Sequence, residues 1–231
     1  MASRLRDPAV LEFVAVTRSF RRSPWGRPRV ALDAFSLRVP AGRVVAILGA
    51  NGSGKSTALR IAAGLLRASA GCCRLWGNAA PNRNEYSRIR YVPDVCGLPG
   101  FLSVRGVLGV VARLDGGRGA PDARAAEALL ARVGLAGRED QRVDELSRGQ
   151  TQRLGLAAAL VGEPDLLLLD EPLSALDDDG ACRMVGLLAA LRAEGRTVLL
   201  TAHRSPELRD LCDGMVWLRE GRVAEEHTWT R

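Results

Sequence analysis

One stretch constrains this chain more than any other: VVAILGANGSGKSTALRIAAGLL, residues 44–66. Val44 to Leu48 is a short apolar run of buried-strand type, and the residues from Ser56 onward have helical spacing. Between them Gly49, Gly54, Lys55 and Ser56 match G-x-x-x-x-G-K-[ST], a pattern whose required context is a strand before it and a helix after it. The glycines let successive backbone N–H groups curl around a phosphate, and the helix N-terminus adds a partial positive charge. Asn51, Gly52, Ser53 and Thr57 complete the loop and the first helical turn, so residues 49–57 are a candidate nucleotide-phosphate cradle.

Charge composition sharpens this reading. Lys55 is the single lysine among 33 basic residues, the rest being arginine. A compact ammonium on a thin flexible stem can bridge β- and γ-phosphate oxygens from inside such a loop, whereas a broad planar guanidinium would clash with it. Ser56 would then ligate Mg²⁺.

The remainder of the composition sets outer bounds. At 231 residues with 47% hydrophobic and 26% charged content, the chain reads as a soluble globular protein able to bury a full core. No run approaches the roughly 18 apolar residues of a membrane span, and MASRLRDPAV lacks a signal-peptide core, so a cytosolic chain is expected. Five cysteines contain no CxxC and no zinc-ligand spacing, and the neighbours Cys72 and Cys73 read as strand residues. Net charge is +7, with five arginines concentrated in RSFRRSPWGRPR, residues 18–29. A solvated loop between two strands accounts for that segment better than a lipid or nucleic-acid contact, since the other arginines are interspersed with acids.

Strands alternate with helices along the chain. LEFVAV and ALDAFSLRV read as N-terminal strands, CRLW as another, and DLLLLD and TVLLTAH as buried strands of a parallel sheet, with a hairpin-like MVWLREGRV at the end. Residues 86–161 are mostly helical in pattern and read as an inserted lobe, because sheet strands resume after it; residues 1–231 are expected to form a single domain. DLLLLDEP places Asp170 and Glu171 where an apolar strand ends. Adjacent acids there divide into a metal partner, Asp170, and a base poised toward water, Glu171.

ELSRGQTQRLGLAAAL, residues 145–160, puts Ser147 at a helix start. Standing shortly before DLLLLDEP, it resembles the LSGGQ signature of ABC-type ATPases. SALD, ending in Asp177, resembles their D-loop, TAH ending in His203 their switch histidine, and Phe20 stands where the family has an aromatic that stacks on adenine. The resemblance covers nearly the whole chain. It implies an α/β P-loop NTPase (RecA-like) fold: a parallel sheet core, an N-terminal antiparallel β subdomain and an inserted helical lobe carrying the signature.

The same resemblance implies ATP and Mg²⁺, and a head-to-tail dimer with a second ATPase subunit, identical or related. Ser147, Gly149 and Gln150 of one copy would face the nucleotide held by Gly52, Gly54 and Lys55 of the other. Glu171 would be the catalytic base, Lys55 and His203 would hold the γ-phosphate, and Asp177 would reach across the interface. Two positions depart from the family pattern. Arg148 stands where the signature commonly has glycine, and Asp94 stands at the Q-loop position, where glutamine is usual; its carboxylate keeps an oxygen able to meet the metal. An acidic residue there, followed by GLPGFLSVRGVL, resembles the export-type branch. Implied partners are transmembrane permease subunits on separate chains, with this subunit peripheral to the cytoplasmic face of the cell membrane and no nucleic acid expected. The absence of a long coiled-coil insertion, of a second motif set and of a sizeable segment after His203 fits that reading. A soluble ABC ATPase serving iron-sulfur assembly or nucleic-acid work is the alternative.

Overall fold

A computed structural model describes residues 8–21, 28–115, 123–174, 176–203 and 206–228, except the side chains of 227 and 228. The strand that feeds the glycine loop, β3 (Val44–Leu48), is buried at every position. So are β7 (Thr197–Ala202), which lies beside it in the sheet, and β6 (Leu166–Leu169), which lies beside β7. Strands apolar on both faces need cover on both, which is the condition of a parallel sheet between layers. The sheet runs β5 (Ile89–Val92), β6, β7, β3, β8 (Gly214–Arg219), β9 (Arg222–Thr228), parallel except for β9, which turns back antiparallel on β8.

Alternate residues of these strands serve two cores. Val44, Ala46, Leu48, Leu167 and Leu169 join one cluster with α3 (Val104–Leu114), α4 (Ala123–Arg132), α5 (Arg148–Leu160) and α6 (Asp178–Ala193). Val45, Ile47, Leu166, Leu168 and Leu199 join the other, with α1 (Lys55–Ala62) and a second, three-stranded antiparallel sheet. That sheet has the order β2 (Arg29–Pro40), β1 (Ala9–Phe20), β4 (Ala70–Leu75). Phe13 and Phe35 meet edge to face across it, 5.0 Å between ring centroids. Parallel core, N-terminal antiparallel sheet and helical insertion are therefore all present, and the fold is that of a P-loop NTPase.

One boundary differs from the sequence reading. The stretch 86–161, read as helical, contains β5, which follows the short helix α2 (Arg83–Ser87) and forms the edge of the main sheet. Four residues are too few for either period to declare itself; parallel pairing with β6, far along the chain, decides their state. The helices of the lobe begin only at Val104. Of the basic segment, residues 18–20 end β1, Arg29 opens β2, and 22–27 lie outside the described residues. No helix among the described residues is long and apolar enough to cross a membrane.

Candidate functional site

At the end of β3 the chain turns through Gly49 and enters α1 at Gly54, whose φ of 113° lies in the left-handed region. A Cβ there would collide with the carbonyl of Ala31, and one on Gly49 with the carbonyl of Leu218, so the loop threads between β2 and β8 with no room for side chains. Lys55, first residue of α1 and only 4% exposed, folds back over this loop. Its Nζ donates to the carbonyls of Gly49 at 2.8 Å and Ala50 at 3.2 Å, and lies 3.2 Å from Glu171 Oε1. A buried ammonium needs such company, because desolvation without partners is costly. The Ser53 hydroxyl is buried in the same loop with no hydrogen-bond partner.

Asp170 follows directly on β6 and is 4% exposed. It accepts from the hydroxyls of Ser56 (3.0 Å), Thr201 (2.7 Å) and Tyr91 (3.2 Å). Burial, helped by the neighbouring Asp170 charge, holds the Tyr91 phenol above its usual pKa, so it remains a donor. Thr201 also accepts the backbone N–H of Glu171 at 2.9 Å, and the Gln152 side-chain amide donates to the Glu171 carbonyl at 3.1 Å. Glu171 itself has a φ of 50°, a strained conformation for a residue with a Cβ. That turn aims its carboxylate between Lys55 Nζ, 3.2 Å away, and His203 Nε2, 3.3 Å away. A carboxylate, an ammonium and an imidazole thus converge at the mouth of the glycine loop.

A hollow of about 360 Å³ collects Phe20, Asn51, Gly52, Gly54, Lys55, Ser56, Thr57 and Glu171, together with Arg29 and Arg60. The Arg18 guanidinium lies 4.7 Å from the centre of the Phe20 ring, and an Arg29 nitrogen would stand 3.1 Å from a Cβ on Gly52. A larger hollow of about 720 Å³ shares Gly49 to Ser53 and reaches His203 and the β8–β9 hairpin. Ser147, Gly149 and Gln150 line neither. They form the N-terminus of α5, where the Ser147 hydroxyl accepts the Gln150 N–H at 3.3 Å and Gln150 Oε1 accepts the Ser147 N–H at 2.9 Å. Asp177 caps α6 by accepting the Gly180 N–H at 2.9 Å, and shares a third hollow, about 210 Å³, with Gln150.

Ser56 and Asp170 offer hard oxygen donors side by side, the chemistry Mg²⁺ takes when waters and phosphates fill its remaining positions. Among the described residues no group of three or more His, Cys, Asp and Glu is gathered as a metal site, and that ion needs none. Asp94, expected at the metal, faces elsewhere: its Oδ1 accepts from Arg148 at 3.0 Å and from the Ser174 hydroxyl at 2.8 Å. The sequence reading gave no role to Tyr91, Thr201, Gln152 or Arg29. Thr201 opens the TAH triplet and Tyr91 stands three residues before Asp94, yet nothing in either pattern says that both point at Asp170.

The ABC transporter family profile matches residues 32–174. The chain is 36% identical over 220 residues to the Nod factor export ATP-binding protein I of Paraburkholderia xenovorans, spanning 94% of this chain and 70% of that one. To the protein of the same name from Burkholderia orbicola it is 38% identical over 204 residues, spanning 86% and 66%. The chain thus spans about two thirds of the length of these relatives. Among solved structures, an ATP-binding subunit of an ABC transporter has a TM-score of 0.83 at 25% identity, covering 95% of this chain and 90% of that one. The dimeric bacterial ABC transporter cassette MJ0796 has a TM-score of 0.86 at 24% identity, covering 96% and 99%, a likeness of fold. Sequence relatives, fold and the convergence of acid, lysine and histidine on one glycine loop agree, and the chain belongs to the ABC transporter family as one of its ATP-hydrolysing, ATP-binding members.

Proposed function

We propose that the chain is the ATPase subunit of an exporter whose membrane-spanning subunits are separate chains, and that it works as a dimer at the cytoplasmic face of the membrane. The observation that carries the chemistry is the Glu171 carboxylate held between Lys55 and His203 at the loop's mouth. With ATP bound, Lys55 exchanges the carbonyls of Gly49 and Ala50 for phosphate oxygens, joined by the loop N–H groups from Gly49 to Thr57. Glu171 takes the proton of the attacking water, and His203 steadies the γ-phosphate. Ser56 and Asp170 would hold Mg²⁺, which would supply neutralisation of phosphate charge. Phe20 stacks against adenine with the ring face that Arg18 leaves open.

The exposed α5 N-terminus with Ser147, Gly149 and Gln150 lies outside the hollow of its own chain, which supports its serving the nucleotide of a second copy, with Asp177 reaching across. The relatives' names, which speak of export, support the transport reading over iron-sulfur or nucleic-acid work, and the lack of a membrane-crossing helix among the described residues supports separate membrane partners. Cargo would be chosen by those partners.

Glu171→Gln tests the chemistry: ATP binding should persist while turnover falls by about 10²-fold or more, as for loss of a general base, and ATP should trap a dimer. Unchanged hydrolysis would refute the assignment of the base. For the partner, a tagged chain should leave detergent-solubilised membranes with an integral protein attached; recovery solely as a soluble homodimer would count against transport.

A further inference from the structure

The two positions at which this chain departs from its family pattern touch each other. Arg148, the first residue of α5, places its guanidinium 3.0 Å from the carboxylate of Asp94 in the loop after β5. The same carboxylate oxygen accepts the Ser174 hydroxyl at 2.8 Å, and Ser174 belongs to the turn that leaves Glu171, its N–H donating to the Glu171 carbonyl at 3.1 Å. Two helical turns along α5 the loop is seated again: Cys96 packs so closely on Gly155 that a Cβ there would collide with its sulfur. Residues seven apart lie on one helix face, so the loop follows that face from Arg148 to Gly155. The Asp94 end carries the charge and the Cys96 end the apolar contact.

The two departures are intelligible only together. Glycine at 148 would leave Asp94 without its cation, and glutamine at 94 would leave Arg148 without its anion. We propose that Asp94 and Arg148 are a charge-matched latch, in which Asp94 is a positioning residue acting through Arg148 to aim the N-terminus of α5, not a ligand of the metal. The latch joins three segments that must agree for a second copy's nucleotide to be enclosed: the loop after β5, the signature helix, and the turn behind Glu171. With Arg148 61% and Asp94 38% exposed, the pair contributes little to stability, so its removal leaves a folded protein in which direction alone has changed.

This rests on the dimeric ATPase reading, and the experiment separates the two. In a Glu171→Gln parent, the ATP concentration that gives half-maximal dimer by light scattering should rise roughly fivefold or more in Asp94→Ala and in Arg148→Ala, the lower range of coupled sites. The double variant should be no worse than either single, because each removes the same contact. Arg148→Lys, which keeps the charge, should stay nearer the parent than Arg148→Ala. Melting temperatures should agree across the set, and the Mg²⁺ requirement should not move. Unchanged midpoints in the single variants, or losses that multiply in the double, would overturn the latch. A Mg²⁺ requirement raised in Asp94→Ala alone would overturn it in favour of a metal role. A parent that binds ATP yet forms no dimer would overturn latch and dimer reading together.

Discussion

Glu171 carries the plainest conflict between local preference and chemistry. Its φ of 50° costs on the order of 1–3 kcal/mol for a residue with a side chain, and three neighbours hold it there: the Thr201 hydroxyl at its N–H, and the Gln152 amide and the Ser174 N–H at its carbonyl. Thr201 spans both acids, donating to Asp170 while accepting from Glu171. Thr201→Val keeps the shape and removes the hydroxyl, so thermal melting should show a loss of about 1–3 kcal/mol for buried groups left unpaired. Turnover should fall with it, while ATP affinity, set by the glycine loop, stays close to the parent's; equal losses in both would mean that Thr201 supports the whole site. The thiols make a separate case. Burial pushes Cys73 and Cys212 up to about 12, and Cys96 up to about 11, from an ordinary 9. A raised thiol pKa means that the folded chain keeps protons the unfolded chain gives up, so this contribution is whole below pH 9 and is lost as pH rises toward 12. In native protein near pH 8, a thiol reagent should modify exposed Cys182 well before Cys73, Cys96 or Cys212, and denaturant should abolish the difference.

At the scale of the element, α5 shows one hydroxyl serving two ends. Ser147 caps the helix through a reciprocal pair with Gln150, and the same residue is the one we assign to a second copy's phosphate. The two roles separate by substitution. Ser147→Ala should lose the cap, costing about 1 kcal/mol. Ser147→Asp should keep it, since aspartate caps as well as serine, yet bring a negative charge to a phosphate. We therefore expect Ser147→Asp to melt within a few degrees of the parent and to fail at ATP-driven dimer formation in the Glu171→Gln background. An Asp variant that dimerises normally would remove Ser147 from the interface. A similar economy is visible in α1, where the helix that packs the N-terminal sheet onto the core also carries Lys55 and Ser56 at its start.

For the whole molecule, the relevant question is what fixes the layers around the loop. Asp213, 7% exposed at the entry to β8, accepts the Val44 N–H at 2.9 Å, pairs with Arg43 at 3.2 Å and pairs with Arg192 of α6. One carboxylate thereby ties the start of β3, the end of α6 and the entry to β8. Asp213→Ala leaves the buried Val44 N–H unpaired and frees two partly exposed guanidinium groups to water, so a loss of roughly 2–3 kcal/mol is expected; at about 2–4 °C per kcal/mol for a chain of this size, melting should fall by roughly 4–12 °C. A shift under a few degrees would show that water replaces the carboxylate. How far the molecule is legible from sequence follows the same division by range. VVAIL, LLLL and TVLLTA announce buried strands because each is a contiguous run, and the glycine loop, the acid pair, His203 and the signature are legible because each is a local pattern in a fixed order. These determined the fold class and most of the candidate site. The edge strand β5, the aim of Tyr91, Thr201 and Gln152, and the meeting of Arg148 with Asp94, 54 residues apart, were decided only by the tertiary structure. Periodicity records which face a residue buries, whereas strand register and the seating of the helical lobe choose its partner, and that choice is made between segments far apart in the chain.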